Sequence, residues 1–262
     1  MRQNSLRAIW AQQGAALGGW LTLPSSVSAE VMAHCGFDWV CIDLQHGLID
    51  YSEMVQMLQG ISSTATVPLV RVPWNEPGII GKCLDAGAWG IIVPMVNSRE
   101  EASAAVSACR YAPLGTRSYG PLRANLYAGS DYFDRANHEV TCIVMVETRV
   151  AVDNVDEIVS TPGVDAVYVG PADLSVTLGL PPAPDQPDPS FTDALDRVID
   201  ACHRHDVIPG IAGNAQTATK RLRQGFRLVE VASDMRLLGL GARDALKQVR
   251  PSAGPQATSA YL

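Results

Sequence analysis

Two carboxylates end apolar runs in the middle of the chain. Cys142-Ile143-Val144-Met145-Val146 leads into Glu147 and Thr148, and a later run leads through Val169-Gly170-Pro171-Ala172 into Asp173. Unbroken apolar runs of this kind read as buried strands of a parallel sheet. Neighbouring strands lie ~4.8 Å apart, so acids at the same ends of two neighbours can converge on one ion. Two converging carboxylates repel, and a cation is the usual remedy. Oxygen-only ligands point to Mg2+ or Mn2+, with Co2+ as a further choice. No histidine or cysteine pair with zinc-ligand spacing lies near them. Each acid could instead cap the helix that follows its strand; aspartate is a good N-cap and glutamate a poor one.

Other residues at strand ends extend this chemistry. Gly170 lets a ligand approach the backbone, and the amides of Ala172 and Asp173 open the next helix, where an anion such as a carboxylate can be held. The alternative is a tight turn that binds nothing. Arg71 follows Leu69-Val70 and can stabilise an oxyanion, or simply pair with a neighbouring acid. His46, after Asp43 and Gln45, is a natural proton carrier. The chain holds three lysines, Lys82, Lys220 and Lys247, all in helical stretches. Schiff-base chemistry needs a lysine at the site, so carbonyl chemistry here has to use a metal. P-loop, nucleophile-elbow and dinucleotide-binding motifs are absent from the sequence.

These residues need strands to position them. Eight short β-rich runs alternate with helical stretches, and the first and last begin near Gly18 and Leu228. Asp50 with Glu53 and Ser98 with Glu101 mark helix starts. Pro77 to Asp85 reads as a helix, Tyr111 to Glu139 as a long polar stretch, and the proline-rich segment Pro181 to Pro189 as a loop. Eight such units in a chain of 262 residues indicate an α/β (β/α)8 TIM barrel, with its site at the C-terminal ends of the strands. A doubly wound open sheet is the alternative. A single barrel domain is expected over residues 1–250, followed by a flexible tail over 251–262. A net charge of −7 argues against a nucleic-acid partner. The six cysteines include no Cys-x-x-Cys pair and read as reduced core thiols. No apolar run reaches ~18 residues, so a cytoplasmic protein with no membrane partner is expected.

Five motifs taken together resemble the HpcH/HpaI aldolase family. They are Ile42-Asp43-Leu44-Gln45-His46-Gly47, Val70-Arg71-Val72-Pro73, Val93-Pro94-Met95-Val96, Val146-Glu147-Thr148 and Gly170-Pro171-Ala172-Asp173-Leu174. The resemblance covers about residues 15 to 248 and is greatest to the 4-hydroxy-2-oxoheptanedioate and 2-dehydro-3-deoxyglucarate aldolase branch. It implies a metal-dependent pyruvate aldolase on a (β/α)8 barrel, commonly a hexamer. Carried over by position, Glu147 and Asp173 are the metal ligands. The 2-oxoacid chelates the metal, and its carboxylate sits on the Ala172 and Asp173 amides beside Gly170. Arg71 stabilises the enolate and polarises the aldehyde oxygen, and His46 is the base, through a metal-bound water. The family pairs this histidine with an aspartate matching Asp85. Asp85 ends its helix on the face away from its own barrel mouth, so either it reaches His46 of a neighbouring subunit or Asp43 orients His46 instead. Asp43 and Gln45 stand just behind the site. Gln45 and Met145 depart from the family's frequent Glu and Gln, which opens a preference for hydroxypyruvate over pyruvate. Trp20 and Arg123 are candidates for the aldehyde side, against an aromatic core position and a surface arginine. The competing expectations are another enolate enzyme on the same site, such as a 2-oxoacid decarboxylase or thioester lyase, and a non-catalytic scaffold.

Overall fold

The structure, a computed structural model, describes residues 2–250; the stretch from Pro251 to Leu262, expected to be a tail, lies outside the described residues. Helix α1 (Ser5–Ala11) precedes β1 (Ala16–Leu21), and α2 (Ser26–His34), β2 (Trp39–Asp43), α3 (Tyr51–Ile61), β3 (Val67–Arg71), α4 (Pro77–Asp85) and β4 (Gly90–Val93) follow. Then come α5 (Arg99–Cys109), α6 (Leu122–Ala128), α7 (Tyr132–Glu139), β5 (Thr141–Val146), α8 (Arg149–Asp153), α9 (Val155–Val159) and β6 (Ala166–Val169). The chain continues through α10 (Pro171–Thr177), α11 (Pro189–Arg204), β7 (Ile208–Ile211), α12 (Ala215–Gln224), β8 (Leu228–Ser233) and α13 (Asp234–Val249). All eight strands are parallel to their neighbours, and β8 closes on β1. The expected (β/α)8 barrel is therefore present, and the open sheet is excluded.

Ring contacts fix which side chains fill the barrel. Trp20 on β1 stacks on Tyr168 of β6 at 5.5 Å, and Trp39 on β2 meets both rings edge-on at 6.3 Å. Strands β1 and β6 are not neighbours, so these rings meet only across the interior. Side chains alternate along a strand, so Cys41 and Asp43 share the inward face of β2 with Trp39. The interior needs gaps for such large rings. A Cβ on Gly18 would lie 2.0 Å from Cε2 of Trp39, so the glycine opposite the indole makes room for it.

Local signals set most helix boundaries. The Asp50 and Glu53 capping box forms in full at α3. At α5 Ser98 caps the Glu101 amide, while the Glu101 carboxylate takes the Asn97 amide instead. The polar stretch 111–139 contains α6 and α7, and the proline-rich loop ends in Pro189 as the first residue of α11. Helix α1 was also not foreseen. Cysteines 41, 83, 109, 142 and 202 are buried free thiols, but Cys35 is exposed and does not belong to the core. Among the described residues no helix is long and apolar enough to cross a membrane.

Candidate active site

Glu147 immediately follows β5, and the next residue, Thr148, caps α8 by accepting the Ala151 amide at 2.9 Å. Glu147 is thus not the cap, and it is free to turn into the barrel mouth. There it is buried, 2% exposed. Its Oε1 accepts the Met95 amide at 2.8 Å. Met95 sits in the left-handed region, at φ 57°, where a side chain is disfavoured. That conformation and the tie from Asn97 Nδ2 to the Met95 carbonyl at 2.8 Å accompany an amide aimed at the acid. The other side of Glu147 is shaped by Gly170: a Cβ there would lie 2.3 Å from Glu147 Oε2. The space at Gly170 therefore belongs to the glutamate, a different reason for glycine than close approach of a ligand.

Asp173 is the third residue of α10, whose N-cap is Gly170. It does not cap the helix either, and it remains exposed at the mouth. Burial pushes the Glu147 carboxyl up to about 7; the Met95 amide and Arg71 pull against this, and the charge of Asp173 adds to it. The two acids thus repel one another across the space the sequence assigned to a cation. Among the described residues no group of three or more His, Cys, Asp or Glu side chains gathers for a metal, so any ion here takes the rest of its ligands from substrate or water.

Arg71, the last residue of β3, pairs side-on with Asp43, the last residue of β2. Nε donates to Oδ1 at 2.8 Å and Nη2 donates to Oδ2. Trp20 Nε1 donates to the same Oδ2 at 3.1 Å, and its ring lies 5.0 Å below the guanidinium. Asp43 Oδ1 also accepts the backbone amides of Gln45 at 3.0 Å and His46 at 3.2 Å. One carboxylate therefore orients the arginine and shapes the loop that carries the histidine, through its backbone and not its ring. Burial opposes ionisation of Asp43, but Arg71 and Trp20 hold it below the usual carboxylate range. Arg71 is raised above its ordinary value because Asp43 outweighs the cost of burial. Among the described residues Nη1 of Arg71 makes no hydrogen bond within the protein; only Nε and Nη2 are engaged.

The remaining candidates divide. Gln45 places a buried Oε1 with no protein partner near this loop. Trp20 supports the Arg71–Asp43 pair. Arg123 does not reach the mouth; it clamps the carbonyls of Ala86 at 2.6 Å and Leu58 at 3.1 Å and the Ser62 hydroxyl at 2.7 Å. Asp85, at the end of α4, pairs through Oδ1 with the buried Arg117 at 2.7 Å, and within one chain it makes no hydrogen bond to His46. Asp234, a strand-end acid, staples the turn after β1 by accepting the Thr22 and Leu23 amides at 3.0 and 3.1 Å. The Met95 amide that meets Glu147 was not singled out from sequence, although Pro94-Met95 was legible as a strand end offering backbone.

Residues 17–239 match the profile of the HpcH/HpaI aldolase/citrate lyase family. The chain belongs to this family. It is 40% identical over 248 residues to the hydroxypyruvate/pyruvate aldolase of Rhizorhabdus wittichii, covering 94% of this chain and 99% of that one. It is 36% identical over 253 residues to the 2-dehydro-3,6-dideoxy-6-sulfogluconate aldolase of Pseudomonas putida, covering 95% and 98%. The crystal structure of an HpcH/HpaI aldolase/citrate lyase family protein from Burkholderia cenocepacia superposes with a TM-score of 0.87 at 36% identity, covering 94% and 99%. This family member is a carbon–carbon lyase.

Replacing Asp43 with asparagine leaves the Arg71 guanidinium without its counter-charge, and is expected to cost about 3–5 kcal/mol. Asp43 has a lowered folded pKa, so its stabilisation is complete above the unfolded value, ~3.9, and is lost as pH falls through the folded one. Urea unfolding should show a large gap between wild type and D43N near neutrality and a shrinking gap below about pH 4; a gap independent of pH contradicts the pairing.

Proposed function

We propose that this lyase is a divalent-metal-dependent aldolase that reversibly cleaves 4-hydroxy-2-oxoacids to an aldehyde and pyruvate or hydroxypyruvate. The observation that carries the reading is the buried Glu147 set against Asp173, with Arg71 presenting a free Nη1 to the same mouth. A divalent cation fits this pair: Glu147 has a single amide for a partner and no ion pair among the described residues. Glu147 and Asp173 hold the cation, with Mg2+ or Mn2+ the expected ions and Co2+ a further candidate. When bound, the ion supplies positive charge to the carboxylate and keto oxygens of the oxoacid.

The protein's own groups do the rest. The amides of Ala172 and Asp173, in the first turn of α10 beside Gly170, receive the substrate carboxylate. Arg71 Nη1 donates to the oxygen that gains charge as the enolate forms, and to the aldehyde oxygen. In cleavage, His46 takes the proton of the C4 hydroxyl, the C3–C4 bond breaks, its electrons pass into the enolate, and His46 returns the proton to C3. Condensation reverses these steps. Asp43 positions Arg71 and, through its amide, the His46 loop. Gln45 lends a hydrogen-bond acceptor behind them. The relative from Rhizorhabdus wittichii supports pyruvate and hydroxypyruvate as the oxoacid pair.

Methyl-proton exchange of pyruvate in D2O, followed by NMR, tests the reading. Exchange should need the metal, stop with EDTA, and fall about 100-fold or more in H46A, as expected for loss of a general base. Exchange that ignores EDTA contradicts the proposal, and exchange without aldehyde condensation points to another enolate enzyme.

Asp85 requires a second chain. Its Oδ1 is anchored by Arg117, and α6 next to it exposes Leu122 at 85% and Leu126 at 87%, an apolar face suited to self-association. Helix α13 has Asp234 as its one buried residue and exposes Leu238 and Val249. A homo-oligomer, a hexamer by family resemblance, brings Asp85 to His46 of a neighbour. Light scattering should give about six chains per particle. D85N should keep that mass while lowering exchange about tenfold or more, as a weakened general base does. A monomer with full activity rules this out.

A further inference from the structure

The barrel interior holds one more acid, and the chemistry above does not use it. Glu230 lies on β8 opposite Gly18, just before an irregularity in the register: the next pairs are Gly19 with Ala232 and Ser233 with Trp20, so Val231 is skipped. Bulges of this kind re-aim side chains beside active sites. Gly18 faces the Trp39 ring inside the barrel, so Glu230 at the same level faces inward too. Its Oε2 accepts the Gly213 amide, from the loop after β7, at 3.3 Å. The titratable and charged groups around it are Cys41 and Asp43 of β2, Arg71 of β3, Tyr168 of β6 and Arg236 of α13. Among the described residues it has no ion pair; the guanidinium that faces it pairs with Asp43. The buried Tyr168 hydroxyl lies beside the Glu230 carboxyl, without a hydrogen bond of ordinary geometry.

We propose that Glu230 is a positioning residue that keeps the charge of Arg71 available to substrate by remaining a neutral acid, and that its ionisation sets the alkaline limit of the reaction. Arg71 already shares its charge with Asp43, and Glu147 also draws on it. A further carboxylate, on the half-buried Glu230, turns the balance at the mouth more negative, which opposes a developing enolate. A neutral acid at Glu230 keeps its hold on the Gly213 amide without that charge. Burial pushes the Glu230 carboxyl up to about 8, with the Gly213 amide, Arg71 and Arg236 pulling it down and Asp43 adding to the rise. Ionisation thus falls just above neutrality, whereas an exposed glutamate ionises near 4.3.

The inference rests on the aldolase reading, and its test separates the two. Pyruvate exchange is measured with saturating Mn2+ from about pH 7 to about pH 9 for wild type and Glu230→Gln. The wild-type rate should fall about tenfold, with an apparent pKa near 8, while E230Q should change by less than about twofold over the same range. Infrared difference spectra of the Mn2+-loaded wild-type enzyme should lose a carboxylic-acid band in step with that fall. This second readout does not depend on the variant folding. An unchanged alkaline limb in E230Q, or no acid band lost from wild type across it, overturns the role of Glu230 alone. No exchange by wild type at any pH overturns the aldolase reading and this role with it.

Discussion

A carboxylate buried beside a second carboxylate is the constraint around which this barrel mouth is built. Glu147 has one protein hydrogen bond, from the Met95 amide, and leaving a buried charge so poorly compensated is costly. Three separate segments hold it in place. Strand β4 ends in a left-handed Met95 that points its N–H at the acid. Thr148 takes over the capping of α8, so the glutamate need not. Gly170 removes the one Cβ that would occupy the position of Oε2. The fold thus spends stability to keep an acid where water alone would not place it, as functional sites do.

The opposite wall is organised by a different economy. Asp43 satisfies Arg71, the Trp20 indole and two loop amides with two oxygens. Trp20 in turn lies on Tyr168, and Trp39 abuts both. The rings form a dry floor, and a low-dielectric floor strengthens every charge interaction above it. Charge of both signs is concentrated at the C-terminal ends of β2, β3 and β5, and Glu230 of β8 is set deeper, level with Gly18.

Much of this was legible in the sequence, and the reasons it was or was not are physical. The strands were visible because buried parallel strands are continuous apolar runs, and β5 and β6 led straight to Glu147 and Asp173. Helix α4 could be read because Glu76, Pro77 and Gly87 give it a cap, a first turn and a stop. Helices α6 and α7 could not, since neither has a side-chain cap. The capping alternative for Glu147 could have been settled by noting that Thr148 is the better cap, and for Asp173 by noting that Pro171 suits the first helical position, which places the cap at Gly170. The pairing of Asp85 with Arg117 spans 32 residues and leaves no local trace. The inward aim of Glu230 depends on a register shift between β1 and β8, which alternation in one strand cannot reveal.

Glu147 and Asp173 together should hold one divalent ion. Titration of Mn2+ into the protein, with free ion followed by electron paramagnetic resonance, tests it most directly. One tight site per chain is expected, with affinity lowered at least about tenfold in E147Q and in D173N alike. Tight stoichiometric binding that survives both substitutions would contradict it.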